Sequence, residues 1–339
     1  NVDTFQKKIS LKFGEMDSFK KLSAGVAKVY DKKEYLLNFE DGQISVTISQ
    51  SHGPEAKRDF NESRISDIAV FDEESRTFSV IADQKDGSFI KYQIDAPVTD
   101  ASWNYLGTGY IDADNVQDVL WVHDSGEVGV WLVEGNTKVH QTIAGATSDW
   151  KFLTIADVTG DGRDNIIWQH ESGTVLAWDS ELNAAQKGDI VLGGVNTAEW
   201  NFAGTGDMTG DGVQDILWRH EGGLVGFWDS SNNQNWVSLG SADEHWQILE
   251  TGDFDNDGID ELLWQNDSGL IGAWDYENGS VAWNSFGDSN TLAGYNFCAI
   301  GDYNGDSFED ILWCDGNDNY KVWSIENNEK KETMDITLA

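Results

Sequence analysis

Five nine-residue segments concentrate the oxygen chemistry of the chain. They are YIDADNVQD (Tyr110–Asp118), DVTGDGRDN (Asp157–Asn165), DMTGDGVQD (Asp207–Asp215), DFDNDGIDE (Asp253–Glu261) and DYNGDSFED (Asp302–Asp310). Side-chain oxygens recur at positions 1, 3, 5 and 9, and position 6 is Gly in three of the five segments. Position 7 is variable, which suits a residue that offers only its backbone carbonyl. Several oxygens converging at about 2.3–2.6 Å, with no nitrogen or sulfur, is the coordination a hard dication takes. No Lys sits in these segments to offset the gathered carboxylates. Mg²⁺ holds its water and demands a rigid octahedron, so Ca²⁺ is the expected ion.

The expected ligands are Asp157, Thr159, Asp161, the Arg163 carbonyl and Asn165; Asp207, Thr209, Asp211, the Val213 carbonyl and Asp215; Asp253, Asp255, Asp257, the Ile259 carbonyl and Glu261; and Asp302, Asn304, Asp306, the Phe308 carbonyl and Asp310. The first segment keeps only Asp112, Asp114 and Asp118, because Tyr110 replaces the position-1 acid and Asn115 the Gly. About four Ca²⁺ ions are therefore expected, with that first loop weak or empty. An EF-hand shares the opening D-x-[DN]-x-[DN]-G but needs a bidentate Glu at position 12 between helices. Position 12 here is Trp in all five segments, so an EF-hand is excluded. A lone string of Asp, Asn and Gly makes an ordinary polar turn. Recurrence at one register favours the metal role.

The register comes from tryptophan. Fourteen of the 16 Trp fall in one W-x17-W-x9-W frame, which makes the spacing a structural repeat. Its copies are Trp103/Trp121/Trp131, Trp150/Trp168/Trp178, Trp200/Trp218/Trp228, Trp246/Trp264/Trp274 and Tyr295/Trp313/Trp323, at intervals of 47, 50, 46 and 49 residues. Each copy reads as strand, acidic loop, strand, tight turn, strand, loop, strand. Four short antiparallel strands per repeat make one propeller blade. Sliding the frame backwards gives two weak copies. One holds Phe19 and the hairpin-like run Leu36–Ile48, with Val26 and Tyr30 in the acid slots; the other runs from Ile81 to Tyr92 with Gly87 at its turn. Neither weak copy shows the acidic loop in this alignment.

These copies predict an all-β fold, a seven-bladed β-propeller of four-stranded antiparallel blades with Ca-binding loops. It forms one domain over residues 1–339, with blades at about 19–60, 61–98, 99–146, 147–196, 197–242, 243–291 and 292–339. Residues 1–18 include a candidate closing strand, Thr4–Phe13, while KETMDITLA reads as the outer strand of the last blade.

A formal charge of −38 repels phosphate backbones and anionic membranes, which disfavours nucleic-acid partners. No run of 18 apolar residues occurs, so no membrane insertion is expected. Strand, D-x-[TDN]-x-D-G-x-x-D and then ILW resembles the FG-GAP/VCBS repeat of integrin α-subunit propellers and of bacterial secreted proteins. The likeness is strong over residues 99–339 and rests on the frame alone over 19–98. The FG and GAP tags are absent, so the bacterial variant is the nearer match. The resemblance implies an extracellular, secreted or cell-surface propeller, calcium-stabilised, used in adhesion or recognition of a glycan or protein ligand on a cell surface or matrix.

The candidate ligand contacts lie elsewhere. His123, His170 and His220 follow the middle Trp by two residues, and Asn266 holds the same slot in the next copy. They should stand on the face opposite the acidic loops, either as a binding rim or as repeated hairpin turns. The framework Trp read as packing between blades, with their N–H groups satisfied by neighbours. Trp236 and Trp283, outside the frame, are the candidates for exposed contacts. Cys298 and Cys314 lie symmetrically about Asp306 and suit either a cross-strand disulfide or two free thiols. No G-x-S-x-G, H-E-x-x-H or phosphate loop is present, and the expected role is non-enzymatic. The alternatives are a scaffold domain of a larger secreted protein and a calcium-dependent polysaccharide-degrading enzyme. The sequence leaves the oligomeric state open.

Overall fold

The computed structural model of the chain describes residues 26–29, 33–40, 43–50, 59–84, 88–95, 97–112, 114–178, 189–336 and 338. The chain divides into two compact units, residues 1–55 and 56–339. In the first unit β1 (Val26–Val29), β2 (Lys33–Glu40) and β3 (Gln43–Gln50) form one antiparallel sheet. The hairpin read from Leu36–Ile48 is the β2–β3 pair, with Glu40 opposite Gln43. Thr4–Phe13, Phe19 and Tyr30 lie outside the described residues.

The second unit is built from six sheets among the described residues. Blade one comprises β4 (Ile68–Asp72), β5 (Thr77–Asp83) and β6 (Phe89–Gln93). Blade two is β7 (Trp103–Gly109), β8 (Asp118–His123), β9 (Glu127–Glu134) and β10 (Thr137–Gly145). Blade three is β11 (Trp150–Ala156), β12 (Asn165–His170), β13 (Thr174–Trp178) and β14 (Asp189–Gly194). β15 (Trp200–Gly206), β16 (Asp215–His220), β17 (Leu224–Asp229) and β18 (Asn235–Ser241) make blade four. Blade five follows with β19 (Trp246–Gly252), β20 (Glu261–Asn266), β21 (Leu270–Glu277) and β22 (Ser280–Asp288). The last blade is β23 (Asn296–Gly301), β24 (Asp310–Cys314), β25 (Tyr320–Glu326) and β26 (Glu329–Ile336).

Second strands read as unbroken apolar runs because both faces of each blade are covered. Ile166 and Ile167 are fully buried on opposite faces of β12, and Trp168 is 3% exposed. In each of blades two to six the middle and third Trp pack diagonally across neighbouring strands, their ring centroids 4.5–5.0 Å apart. This Trp face meets the preceding blade. Trp218, for example, joins Ile167, Val175 and Ala177 of blade three in one cluster.

The number of blades differs from the expected seven. Each hydrophobic cluster spans two consecutive blades, and the sixth joins Leu312 and Val322 of the last blade to Ile68, Ile81 and Phe89 of blade one. Leu338 also pairs in parallel with Phe89 at the edge of blade one. Among the described residues the ring therefore closes at six. The seventh blade expected at about residues 19–60 is not part of this ring, since the sheet of β1, β2 and β3 belongs to the other unit. KETMDITLA does supply β26, the outer strand of the last blade.

The weak copy over residues 61–98 also needs a corrected register. β4 and β5 are joined around Glu73–Arg76, so Gly87 falls in sequence between β5 and β6, not at the turn between β4 and β5. The blade's acidic loop lies upstream, at Asp59–Asp67. Val70 and Val80 occupy its Trp slots, which hid the copy from a frame read in tryptophan.

Trp218→Ala removes a fully buried indole from a two-blade interface. It should cost about 3–5 kcal/mol in denaturant unfolding of the whole chain; a loss under about 1 kcal/mol would contradict the interface assigned to it.

Candidate functional site

Six loops, not five, share one backbone design. Position 6 has positive φ in every one: Arg64 (68°), Asn115 (63°), Gly162 (83°), Gly212 (84°), Gly258 (91°) and Ser307 (72°). Gly is the natural residue for this conformation, and Asn tolerates it better than most side chains. The position-5 side chain accepts the position-7 N–H in all six, from Asp161 and Arg163 (3.0 Å) to Asp257 and Ile259 (2.8 Å) and Ser63 and Ile65 (3.1 Å). Where position 1 is Asp, its carboxylate accepts N–H groups from within its own loop. Asp157 accepts from Gly160 (2.7 Å) and Gly162 (2.8 Å), and Asp302 accepts from Gly305 (2.7 Å) and Ser307 (2.9 Å). Tyr110 has no such group, so the loop of blade two lacks this anchor.

The loops also join the blades. The position-8 N–H donates to the position-1 carbonyl of the preceding loop: Gln117 to Asp59, Asp164 to Tyr110, Gln214 to Asp157, Asp260 to Asp207 and Glu309 to Asp253. Ser66 completes the circle by donating to Asp302 at 2.7 Å. Three position-8 carboxylates return the contact. Asp164, Asp260 and Glu309 accept the N–H of Tyr110, Asp207 and Asp253 at 2.8–2.9 Å. Gly252 makes room for one of them, since a Cβ there would stand 2.4 Å from Glu309 Oε2.

Position 9 works as a buried staple. Asp67, Asp118, Asn165, Asp215, Glu261 and Asp310 are at most 2% exposed. Each accepts the position-2 N–H, as Glu261 does from Phe254 at 2.7 Å. The second oxygen of Asp118, Asp215 and Asp310 accepts from Val133, Ser230 and Ile325 beyond the third strand or at its end. A carboxylate oxygen has two acceptor sites, so these contacts leave capacity for a cation. Burial, with neighbouring carboxylates acting in the same direction, raises these groups: Asp67 and Asp215 to about 8, Asp118 to about 7, Asp310 to about 9 and Glu261 to about 10. Asp207, at position 1, is raised to about 6 for the same reason.

Blade five gathers acids most closely. Asp253, Asp255 and Asp257 each bring an oxygen within 4.8 Å of the others, and so do Asp255, Glu261 and Asp275. Thr159, Thr209 and Asn304 hold position 3 in blades three, four and six, so those loops gather fewer carboxylates. Asp275 escaped the sequence reading; its signal is that it follows the third Trp directly, as Asp229 follows Trp228. Asn328 of the last blade donates to Asp255 Oδ2 at 2.9 Å and Glu261 Oε1 at 3.4 Å. Blade one offers Asp59, Asn61, Ser63 and Asp67 at the ligand spacing, in a copy whose Trp slots hold Val70 and Val80. The oxygen-only donor set and the acidic trio of blade five fit a hard dication.

The histidines stand at the other end of their strands. His170 pairs with Trp150, the first residue of blade three, while Asn165 pairs with Ala156 beside the loop. His123, His170 and His220 each lie against the first-slot Trp of their blade at 4.9–5.1 Å. Their Nδ1 atoms accept turn N–H groups from Ser125, Ser172 and Gly222. Asn266 Oδ1 does the same for Ser268 and Leu270. These residues organise hairpins, and none belongs to either acidic trio.

The tryptophans divide as expected by exposure but not in every polar contact. Trp121, Trp168, Trp218, Trp264, Trp313 and Trp323 are buried, yet their indole N–H groups have no acceptor in the structure. The expectation that neighbours satisfy them is not met for these six. Trp236 and Trp283 are 38% and 39% exposed. Cys298 and Cys314 form a disulfide between β23 and β24, with Cα atoms 6.0 Å apart.

No protein-family model matches the chain, and no curated protein matches it. Similar solved structures include a mitotic checkpoint complex, at 16% identity and TM-score 0.47 over 84% of this chain and 83% of that one. Another is BBS1N in complex with ARL6DN, at 11% identity and TM-score 0.44 over 80% and 76%. YCF48 from Cyanidioschyzon merolae matches at 9% identity and TM-score 0.44 over 79% and 84%. The β-propeller assignment rests on the sheets and the ring closure described above.

The raised position-9 carboxyls set a pH dependence. Their folded values exceed the ordinary carboxylate value near 4, so folding holds their protons. That stabilisation is complete below about pH 4 and is lost as pH rises through about 7–10. In excess chelator the melting temperature should fall between pH 5 and pH 9, less steeply in Asp215→Asn. A melting temperature that rises over that range would contradict the assignment.

Proposed function

We propose that this chain is an extracellular, calcium-stabilised recognition propeller, secreted or displayed at a cell surface, whose ligand is a glycan or a protein. The carrying observation is the convergence of Asp253, Asp255 and Asp257 oxygens within 4.8 Å, inside a loop design repeated around the ring. Bound Ca²⁺ supplies positive charge where the fold gathers carboxylates. The residues that would hold it are the acids and oxygens at positions 1, 3, 5 and 9, together with the position-7 carbonyls. The blade-five loop is the fullest donor set and the Tyr110 loop the poorest.

Two further features favour the exterior. The Cys298–Cys314 disulfide suits an oxidising compartment. The strongly acidic surface suits an exterior rich in divalent cations. The role is recognition rather than catalysis, because the acids with raised values are engaged as backbone acceptors inside the loops.

Calcium binding to the folded state stabilises it by mass action, by about 2.7 kcal/mol for each site at 100 times its Kd. The melting temperature should rise with added Ca²⁺ and fall with chelator, and Asp257→Asn should diminish the shift. An identical transition in calcium and chelator would overturn the metal assignment.

Reducing the disulfide, which closes a sequence separation of 16 residues, should lower stability by about 3 kcal/mol. Equal stability in oxidised and reduced protein would remove this support for an exterior location.

A further inference from the structure

A half-open cleft of about 370 Å³ lies between blades four and five. Its walls include Trp246, Trp264, Trp274 and Trp283 from blade five, with Ser241 and Asp243 from the segment that leaves blade four. The four indoles share one blade face by register. Trp246 opens β19 opposite Asn266, Trp264 faces Gly272, and Trp274 faces Trp283. Trp283 lies over Gly272, where a Cβ would stand 2.5 Å from its ring, and meets Trp246 edge-on at 5.1 Å. In the same cross-strand slot blades two, three and six carry His140, Asp189 and Thr333. The indole at this slot is thus not demanded by the repeat, and Trp283 keeps 39% of its surface exposed.

We infer that this cleft between blades four and five binds an uncharged pyranose sugar, stacked on Trp283 with its hydroxyls toward Ser241 and Asp243. The inference rests on the recognition reading and narrows its ligand class. The charges select the occupant. A cation is the usual alternative guest of an aromatic cleft. Here Arg219 already lies 5.4 Å from the Trp264 ring centre, held by the Trp246 and Asp243 carbonyls at 2.6 and 2.7 Å. A second cation would be set beside that guanidinium. An anionic glycan meets a chain of net charge −38 and the exposed carboxylate of Asp243. An apolar side chain would strip water from the Ser241 hydroxyl and from the Asp243 carboxylate, whose Oδ1 accepts the His245 N–H at 3.1 Å, and would offer neither a new hydrogen bond. A neutral sugar presents an apolar C–H face to indole and hydroxyls to a carboxylate, and the volume is that of a small-molecule site.

The test uses the calcium-loaded full chain and three probe sets: neutral cello-, chito- and galacto-oligosaccharides, tetramethylammonium, and heparin. Binding is followed by saturation-transfer NMR and calorimetry. At least one neutral oligosaccharide should bind, with its strongest saturation on one ring C–H face. Trp283→Ala and Asp243→Asn should each weaken that binding by about tenfold or more, while Val191→Ala, at an exposed position of blade three, leaves it unchanged. Circular dichroism melts of the variants establish that they are folded. Absence of binding by every neutral oligosaccharide, binding unaffected by Trp283→Ala, or preferential binding of tetramethylammonium or heparin at this cleft would overturn the inference. A calcium-dependent rise in melting temperature persisting alongside such a result would leave the calcium-stabilised propeller standing, so the two failures are distinguishable.

Discussion

Closure of the ring through its loops is the constraint on which the rest of the unit depends. Six hydrogen bonds run from a position-8 N–H to the position-1 carbonyl of the preceding loop, and the last returns from Ser66 to Asp302. Each fixes the distance between consecutive blades at one end of the ring. Left-handed backbone at position 6 turns the loop so that both contacts form. The interblade clusters then pack against a geometry already set at that end. A propeller blade cannot bury both of its faces alone, so closure and packing are one problem.

The same loops create an electrostatic problem. Holding position 9 almost fully buried brings a carboxyl into a region of low polarity beside other acids. Two backbone N–H groups lower its charged form in energy, but not enough to offset burial in Asp215 or Asp310. Asn165 shows that a neutral group performs the staple equally, since its Oδ1 accepts the Val158 N–H at 3.1 Å. The acids retained in the other blades keep a titratable group where packing does not require one, and burial favours its protonated form.

Tryptophan has two uses in this chain, separated by the strand that carries it. On second and third strands the indoles form the diagonal pairs that fill the blade interfaces, and most have a buried N–H without an acceptor. Their packing area outweighs that loss, as large aromatic surfaces can. On the fourth strands of blades four and five the indoles lie over a glycine and remain partly open to solvent. These two are the most exposed of the indoles among the described residues.

Much of this was legible in the residues themselves. Spacing of Trp and Asp revealed the repeat, the strand order within a blade and the loop register, because each strongly periodic side chain marks one environment. The loop at Asp59–Asp67 was present as D-x-N-x-S-x-x-x-D, but Val70 and Val80 replace its Trp markers and the frame passed over it. Opposition of the histidine turns to the acidic loops followed from strand alternation alone. The number of blades did not, since a period counts repeats without saying which of them meet. Six interfaces decide it, and the closing one, with the return bond from Ser66 to Asp302, joins opposite ends of the unit's sequence. Likewise, Asp275 joins Asp255 and Glu261, and four indoles share one cleft, only after folding brings separate strands together. Local pattern determined the blade; non-local closure determined the ring and what its clefts contain.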